Sequence, residues 1–181
     1  MYRNRNIVLG EALALACLVL SSCASIPLTT ALRLSSFSEQ QFAGLRPEEV
    51  GIKIRLPQGF ELDVSKSRLA IEVASNAGVH NAAFDLEQTG MRTVRLPGGL
   101  FSSQPGVEYE LRLPVASRNR FHELQAFVVK AKVEDIGVRV MPKLAARPEG
   151  ARSVEVWIDL RLKQAEGYLP LVDAATISLA K

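Results

Sequence analysis

The chain has 181 residues, with 22 basic and 19 acidic side chains and a formal net charge of +3. So weak a field argues against nucleic acid or an acidic polymer as partner, while the length suits one domain able to bury a real core. Both cysteines, Cys17 and Cys23, lie near the start, so no disulfide framework is expected in the body of the chain.

Arg3 and Arg5 precede an apolar run that is interrupted by Gly10 and Glu11 and is clean over Ala12–Leu20, before the small residues Ser21 and Ser22. A basic start, an apolar middle and small residues at the end read as a secretory signal peptide. Ile7–Leu20 is 14 residues, shorter than the roughly 20 needed to span a bilayer.

Leu20-Ser21-Ser22-Cys23 resembles the lipobox of bacterial lipoproteins. The resemblance implies cleavage between Ser22 and Cys23 and lipidation of the Cys23 thiol, with the membrane as first partner through the N-terminal lipid. One acyl chain binds marginally and several bind firmly, at roughly 0.8 kcal/mol per buried CH₂. Ala24 in place of an Asp after the cysteine resembles lipoproteins sent to an outer membrane, where the chain would face the periplasm. This divides the chain into a signal peptide over 1–22, a lipidated tether over 23–37 and a single β-rich periplasmic domain over 38–181. Removing Arg3, Arg5 and Glu11 with the signal leaves 20 basic and 18 acidic residues, still close to neutral.

The tether carries Leu28, Leu32, Leu34 and Phe37 and lacks the Gly/Ser richness of a free linker. Ser38-Glu39-Gln40-Gln41 reads as a capping box opening a short helix that ends near Gly44, and Pro47 before two Glu suggests another helical turn. From Val50 the period becomes two. Val50, Ile52, Ile54 and Leu56 alternate with Gly51, Lys53 and Arg55 as in a half-buried strand. Leu69–Val73, Phe84–Leu86, Val94–Leu96 and Val107–Leu113 repeat the pattern, separated by turn-rich stretches that include Ser102–Gly106.

Phe121, Leu124, Val128 and Ala131 then fall at helical spacing, with Phe127 beside them and charged residues around them, so an amphipathic helix is expected over 117–134. Ile136–Val140 returns to strand period. Val154–Leu162 is the strongest strand, and Glu166-Gly167 turns into a last one near Tyr168–Val172. The pattern predicts a mainly β chain with one amphipathic helix (α+β), as a two-layer β-sandwich of seven or eight short strands. An open sheet with the helix on its core face is the alternative.

Chemistry is sparse. His80 is expected in a loop and His122 on the polar side of the helix, neither with a Cys or His at ligand spacing. A Gly-x-Ser-x-Gly elbow and a phosphate-cradling glycine loop are both missing. Asp159, Glu155 and Glu110 could approach one another, but outward carboxylates on strands are usually solvated. No catalytic residue, metal ligand or cofactor is therefore assigned. Arg55, Arg95 and Arg112 each stand two residues before a Pro that stops a strand. Gathered at one end of a sheet they would form a cationic rim for anionic head groups; antiparallel neighbours would scatter them instead. Trp157 is in phase with Glu155 and Asp159, away from the face of Val156 and Ile158. It is the candidate contact residue if exposed, and plain packing if the helix or tether covers it.

Val154–Leu160 and Gly167-Tyr168-Leu169-Pro170-Leu171 loosely resemble segments of uncharacterised proteobacterial lipoproteins, a resemblance that implies no activity. The expected function is a non-catalytic interaction or assembly module of the envelope with an envelope protein as partner. The alternative is a carrier of lipid or another apolar ligand in a pocket between sheet and helix.

Overall fold

The computed structural model describes residues 38–76, 78–98 and 102–179. The signal peptide, the cleavage site at Ser22 and Cys23, and the tether lie outside them. In chain order the elements are α1 (Glu39–Ala43), β1 (Gly51–Pro57), β2 (Glu61–Leu62), β3 (Arg68–Ser75), β4 (Gly78–Asp85), β5 (Glu87–Gly98), β6 (Ser102–Arg112), α2 (Val115–Lys130), β7 (Val133–Met141), β8 (Leu144–Ala146), β9 (Ser153–Arg161) and β10 (Leu169–Ser178).

Five strands form one antiparallel sheet in the order β10-β9-β1-β6-β5, three form a second in the order β4-β3-β7, and β2 pairs with β8. The expected α+β, sandwich-like class is what the structure shows. Six of the ten strands, β1, β3, β5, β6, β7 and β9, are built on the alternating segments of the sequence, and β10 begins where the turn at Glu166-Gly167 placed a last strand. The strand expected over Phe84–Leu86 is not one element, because β4 ends at Asp85 and β5 starts at Glu87, and β2 and β8 are too short to carry a period. β6 starts at Ser102, so the turn-rich Ser102–Gly106 is strand. This is possible because Leu96 of β5 lies over Gly106, where a Cβ would also stand only 2.7 Å from the Leu56 carbonyl oxygen.

The alternation decides the faces. Ile52, Ile54 and Leu56 of β1 are fully buried, and Ile54 stands between Tyr109 on β6 and Ile158 on β9. Leu69, Ile71 and Val73 on β3 and Phe84 on β4 belong to the same core cluster, so one core joins both sheets. Helix α2 closes it with Phe121, Leu124 and Val128. It runs over 115–130 rather than 117–134, because Ala131 is already extended and Val133 opens β7. The capping box forms as read, with Ser38 Oγ accepting from the Gln41 amide and Gln41 Oε1 from the Ser38 amide. α1 is held on α2 by Phe42 stacking on Phe121 at 5.2 Å. The Gln125 amide adds bonds to the carbonyls of Phe42, Ala43 and Leu45 at 2.9, 3.2 and 2.8 Å. Those carbonyls end a short helix, and a buried side-chain donor satisfies them.

Candidate functional site

On the outer face of the five-stranded sheet stand Lys53 and Arg55 of β1, Glu108 and Glu110 of β6, and Trp157, Asp159 and Arg161 of β9. The antiparallel register places opposite charges side by side. Arg55 Nη2 donates to both Asp159 oxygens, at 3.0 and 2.8 Å. Glu108 is 7% exposed and meets Arg92 at 2.8 Å and Lys53 at 3.6 Å. Burial pushes the Asp159 carboxyl above its ordinary range, against the pull of Arg55. Tyr168, arriving from the turn before β10, donates its hydroxyl to Glu110 at 2.9 Å. Its ring lies under the Lys53 ammonium at 4.4 Å and the Arg161 guanidinium at 4.8 Å. Burial, followed by the bond to Glu110, pushes its phenol up to about 12. The array is largely self-neutralising and holds strands together more than it offers charge to a ligand.

Trp157 lies on this outer face, as its phase requires, but is only 2% exposed. That corrects its assignment as a contact residue, since a buried indole cannot anchor a partner. Its Nε1 and the Nε of Arg55, directly across the strand pair, are both buried donors without an acceptor. The three arginines form no rim. Arg112 pairs with Gly51 and Arg55 with Glu108, at different ends of the β1–β6 ladder. Arg112 bonds Glu87 at 2.6 Å and Arg95 reaches Ser103 Oγ at 3.3 Å. Of the three carboxylates, Asp159 and Glu110 go to different partners, and Glu155 is exposed; they form no acid–base pair.

His80 is in β4, not in a loop, with its ring 4.8 Å from that of Phe127. The strand was hard to read because Val79-His80-Asn81-Ala82-Ala83 mixes strong and weak strand formers; β4 exists through its pairing with β3. His122 is exposed on α2 as expected, its Nδ1 2.9 Å from Gln125 Oε1. Among the described residues no group of three His, Cys, Asp or Glu could hold a metal ion, and no helix is long and apolar enough to cross a membrane.

Two concavities among the described residues bear on the expected pocket. The larger, about 460 Å³, lies between β8 and the ends of β9 and β10, lined by Leu144, Ala146, Val154, Val156, Ile177 and Leu179, with Lys143 and Arg147 as its charged members. It is not the expected pocket between sheet and helix. Beneath α2 the core is filled by Phe84 and Phe121, at most 1% exposed, and the space between sheet and helix is open only beside β4. The second, about 390 Å³, runs between β4 and α2, lined by His80, Ala82 and Phe84 on one side and Arg120, Leu124 and Phe127 on the other.

β4 is also the least guarded edge. Among the described residues it pairs only with β3, in an unbroken register from Arg68↔Asp85 to Ser75↔Gly78. Val79–Phe84 contains no Lys, Arg, Asp, Glu or Pro, and Val79 is 62% exposed. The other edges carry the usual protection. β5 has a register shift between Gln88 and Gly90 as well as Arg92, Arg95 and Pro97. β10 has two shifts and Pro170, and β7 is charged at Glu134, Asp135 and Arg139.

Comparison of the chain with protein-family models, with curated proteins and with solved structures finds no match.

Proposed function

We propose that the protein is a non-catalytic interaction module of the bacterial envelope, anchored through lipid on Cys23, on the outer membrane and facing the periplasm. The N-terminal residue pattern supports the address. The observation that carries the interaction reading is the unguarded β4 edge beside the cleft against α2. An open edge supplies a row of backbone donors and acceptors, and a neighbouring helix supplies side-chain pockets. Strand addition of a partner segment uses both. The test places a guard on the edge. Val79→Lys and Asn81→Lys, both at exposed positions, should leave the unfolding midpoint unchanged and abolish capture of the partner in membrane crosslinking. Capture undiminished in both variants would sink the strand-addition reading.

A second reading, binding of an apolar ligand, is favoured by the groove at β8. Its size falls within the roughly 300–1,000 Å³ typical of small-molecule sites.

A further inference from the structure

We infer that the partner at the β4 edge is a second copy of this chain, its own β4 added antiparallel about a two-fold axis through Asn81, so that two three-stranded sheets become one. This deepens the strand-addition reading and rests on it.

Three observations converge. The first is how the edges are guarded. Among the described residues β4 is bare of charge and Pro from Gly78 to Phe84. By contrast β5 and β10 carry Pro and register shifts, β7 carries Glu134, Asp135 and Arg139, and β2 and β8 are only two and three residues long. One bare edge per chain lets a pair close on itself. The contact uses the same patch on both copies and leaves no second edge from which a fibre could grow.

The second is register. Residues directly opposite each other in a sheet share a face, so a two-fold axis normal to the sheet pairs only residues of like phase. Centred on Asn81, it sets Val79 against Ala83 and Asn81 against its own copy on the outer face, where all three are exposed. A carboxamide both donates and accepts, so the two Asn81 side chains can satisfy each other. On the face toward α2 it sets His80 against Ala82 and Phe84 against Gly78, a bulky residue against a small one each time. An axis at Ala82 would instead set Val79 against Asp85, whose carboxylate meets Arg68 at 3.0 Å, and His80 against the buried Phe84. The side chains match with the axis at Asn81.

The third is charge. Arg120 and Glu123, one of each sign, line the cleft beside β4 together with His80. A second copy therefore arrives with the complement of both, and the paired strands bring no charge of their own between Gly78 and Phe84.

The test uses the full chain in its membrane. Opposite Cα atoms of an antiparallel pair lie about 4.5–5.5 Å apart, within reach of a disulfide. Asn81→Cys should therefore link to its own copy under mild oxidation, with the joined peptides identified by mass spectrometry so that Cys17 and Cys23 are not counted. Val79→Cys alone should not link, because its two copies stand roughly 13 Å apart along the strands. Expressed together, Val79→Cys and Ala83→Cys copies should link to each other. Asn81→Lys puts two ammonium groups on the axis, and association of differently tagged copies should fall about tenfold, the equivalent of about 1.4 kcal/mol. Asn81→Asp should do the same, and mixing Asn81→Lys copies with Asn81→Asp copies should restore association. Position 81 is exposed, so these variants should fold, and an unchanged circular dichroism spectrum checks it. No link at Asn81, an equal link at Val79 alone, or a charge-swapped mixture that stays apart would overturn the two-fold pair. Membrane crosslinking then separates the two levels. A different chain captured by the wild type and not by Asn81→Lys overturns the second copy alone, and capture of neither overturns the strand-addition reading with it.

Discussion

Tyr168 lies across Gly51, so close that a Cβ on the glycine would stand 2.6 Å from the phenolic oxygen. The hydroxyl passes over β1 to reach Glu110 on β6, and only a residue without a side chain lets it through. Gly51→Ala should displace the ring and lose the Glu110 bond together with the Lys53 and Arg161 contacts, at a cost of about 1–3 kcal/mol. Tyr168→Phe keeps the ring and should cost only about 1 kcal/mol. Urea unfolding of both variants checks the order; an equal cost would mean that the ring contributes nothing beyond its hydroxyl.

Asp159 sets a pH dependence of unusual sign. Its carboxyl is raised in the folded state by burial, with Arg55 pulling it back. A raised acid binds its proton more tightly when folded. Its stabilising contribution is therefore present below the ordinary value of 3.8 and lost as pH rises through the raised folded value. Removing the cation with Arg55→Ala should push Asp159 higher still and destabilise the protein most near neutral pH, with partial recovery on acidification. Asp63 runs the other way. The Ser65 hydroxyl, followed by Lys66, lowers it to about 2, so its contribution is present above 3.8 and lost as pH falls toward 2. Denaturant melts from pH 3 to 8 (about the usable range for such a titration) should show recovery below neutrality in Arg55→Ala, and recovery should vanish in Arg55→Ala/Asp159→Asn.

The faces of β9 make a paired prediction. Ile158 is 3% exposed and Glu155 stands in solvent. Ile158→Asp leaves a buried charge unpaired, costing several kcal/mol against a total stability of about 5–15 kcal/mol, and should prevent folding. Glu155→Lys should be nearly silent. Circular dichroism decides, and comparable loss in both would mean that the face assignment fails.

Trp157 should behave as packing. At 2% exposure its emission should be blue-shifted and resist acrylamide, and Trp157→Ala should cost about 3–5 kcal/mol. Red-shifted, readily quenched emission would return it to the surface and revive it as a contact residue.

Lipidation at Cys23 is checked on the native N-terminus. Mass spectrometry of membrane-extracted protein should find it at Cys23 carrying lipid, and Cys23→Ser should accumulate as unmodified precursor. An unmodified chain starting at Met1 would remove the envelope address and leave the domain's surfaces without it.

What local residue order determined here is what local physics can encode. The capping box at Ser38, the helical spacing of Phe121, Leu124 and Val128, and the alternation of Ile52, Ile54 and Leu56 each place side chains through backbone geometry alone. The sandwich-like class followed from counting such segments. Tertiary structure decided the rest, because those outcomes depend on partners distant in the chain. β4 needed β3 beside it to turn His80 and its weak strand formers into a strand. β10 shifts register between Pro170 and Val172 and again before Ala175, so no period of two was there to be read. The groove arises where that shifted strand meets β8, a three-residue element with no signature of its own. The period of β9 correctly put Trp157 on the outer face. Whether that face was wet depended on what the fold laid over it, which alternation alone does not encode.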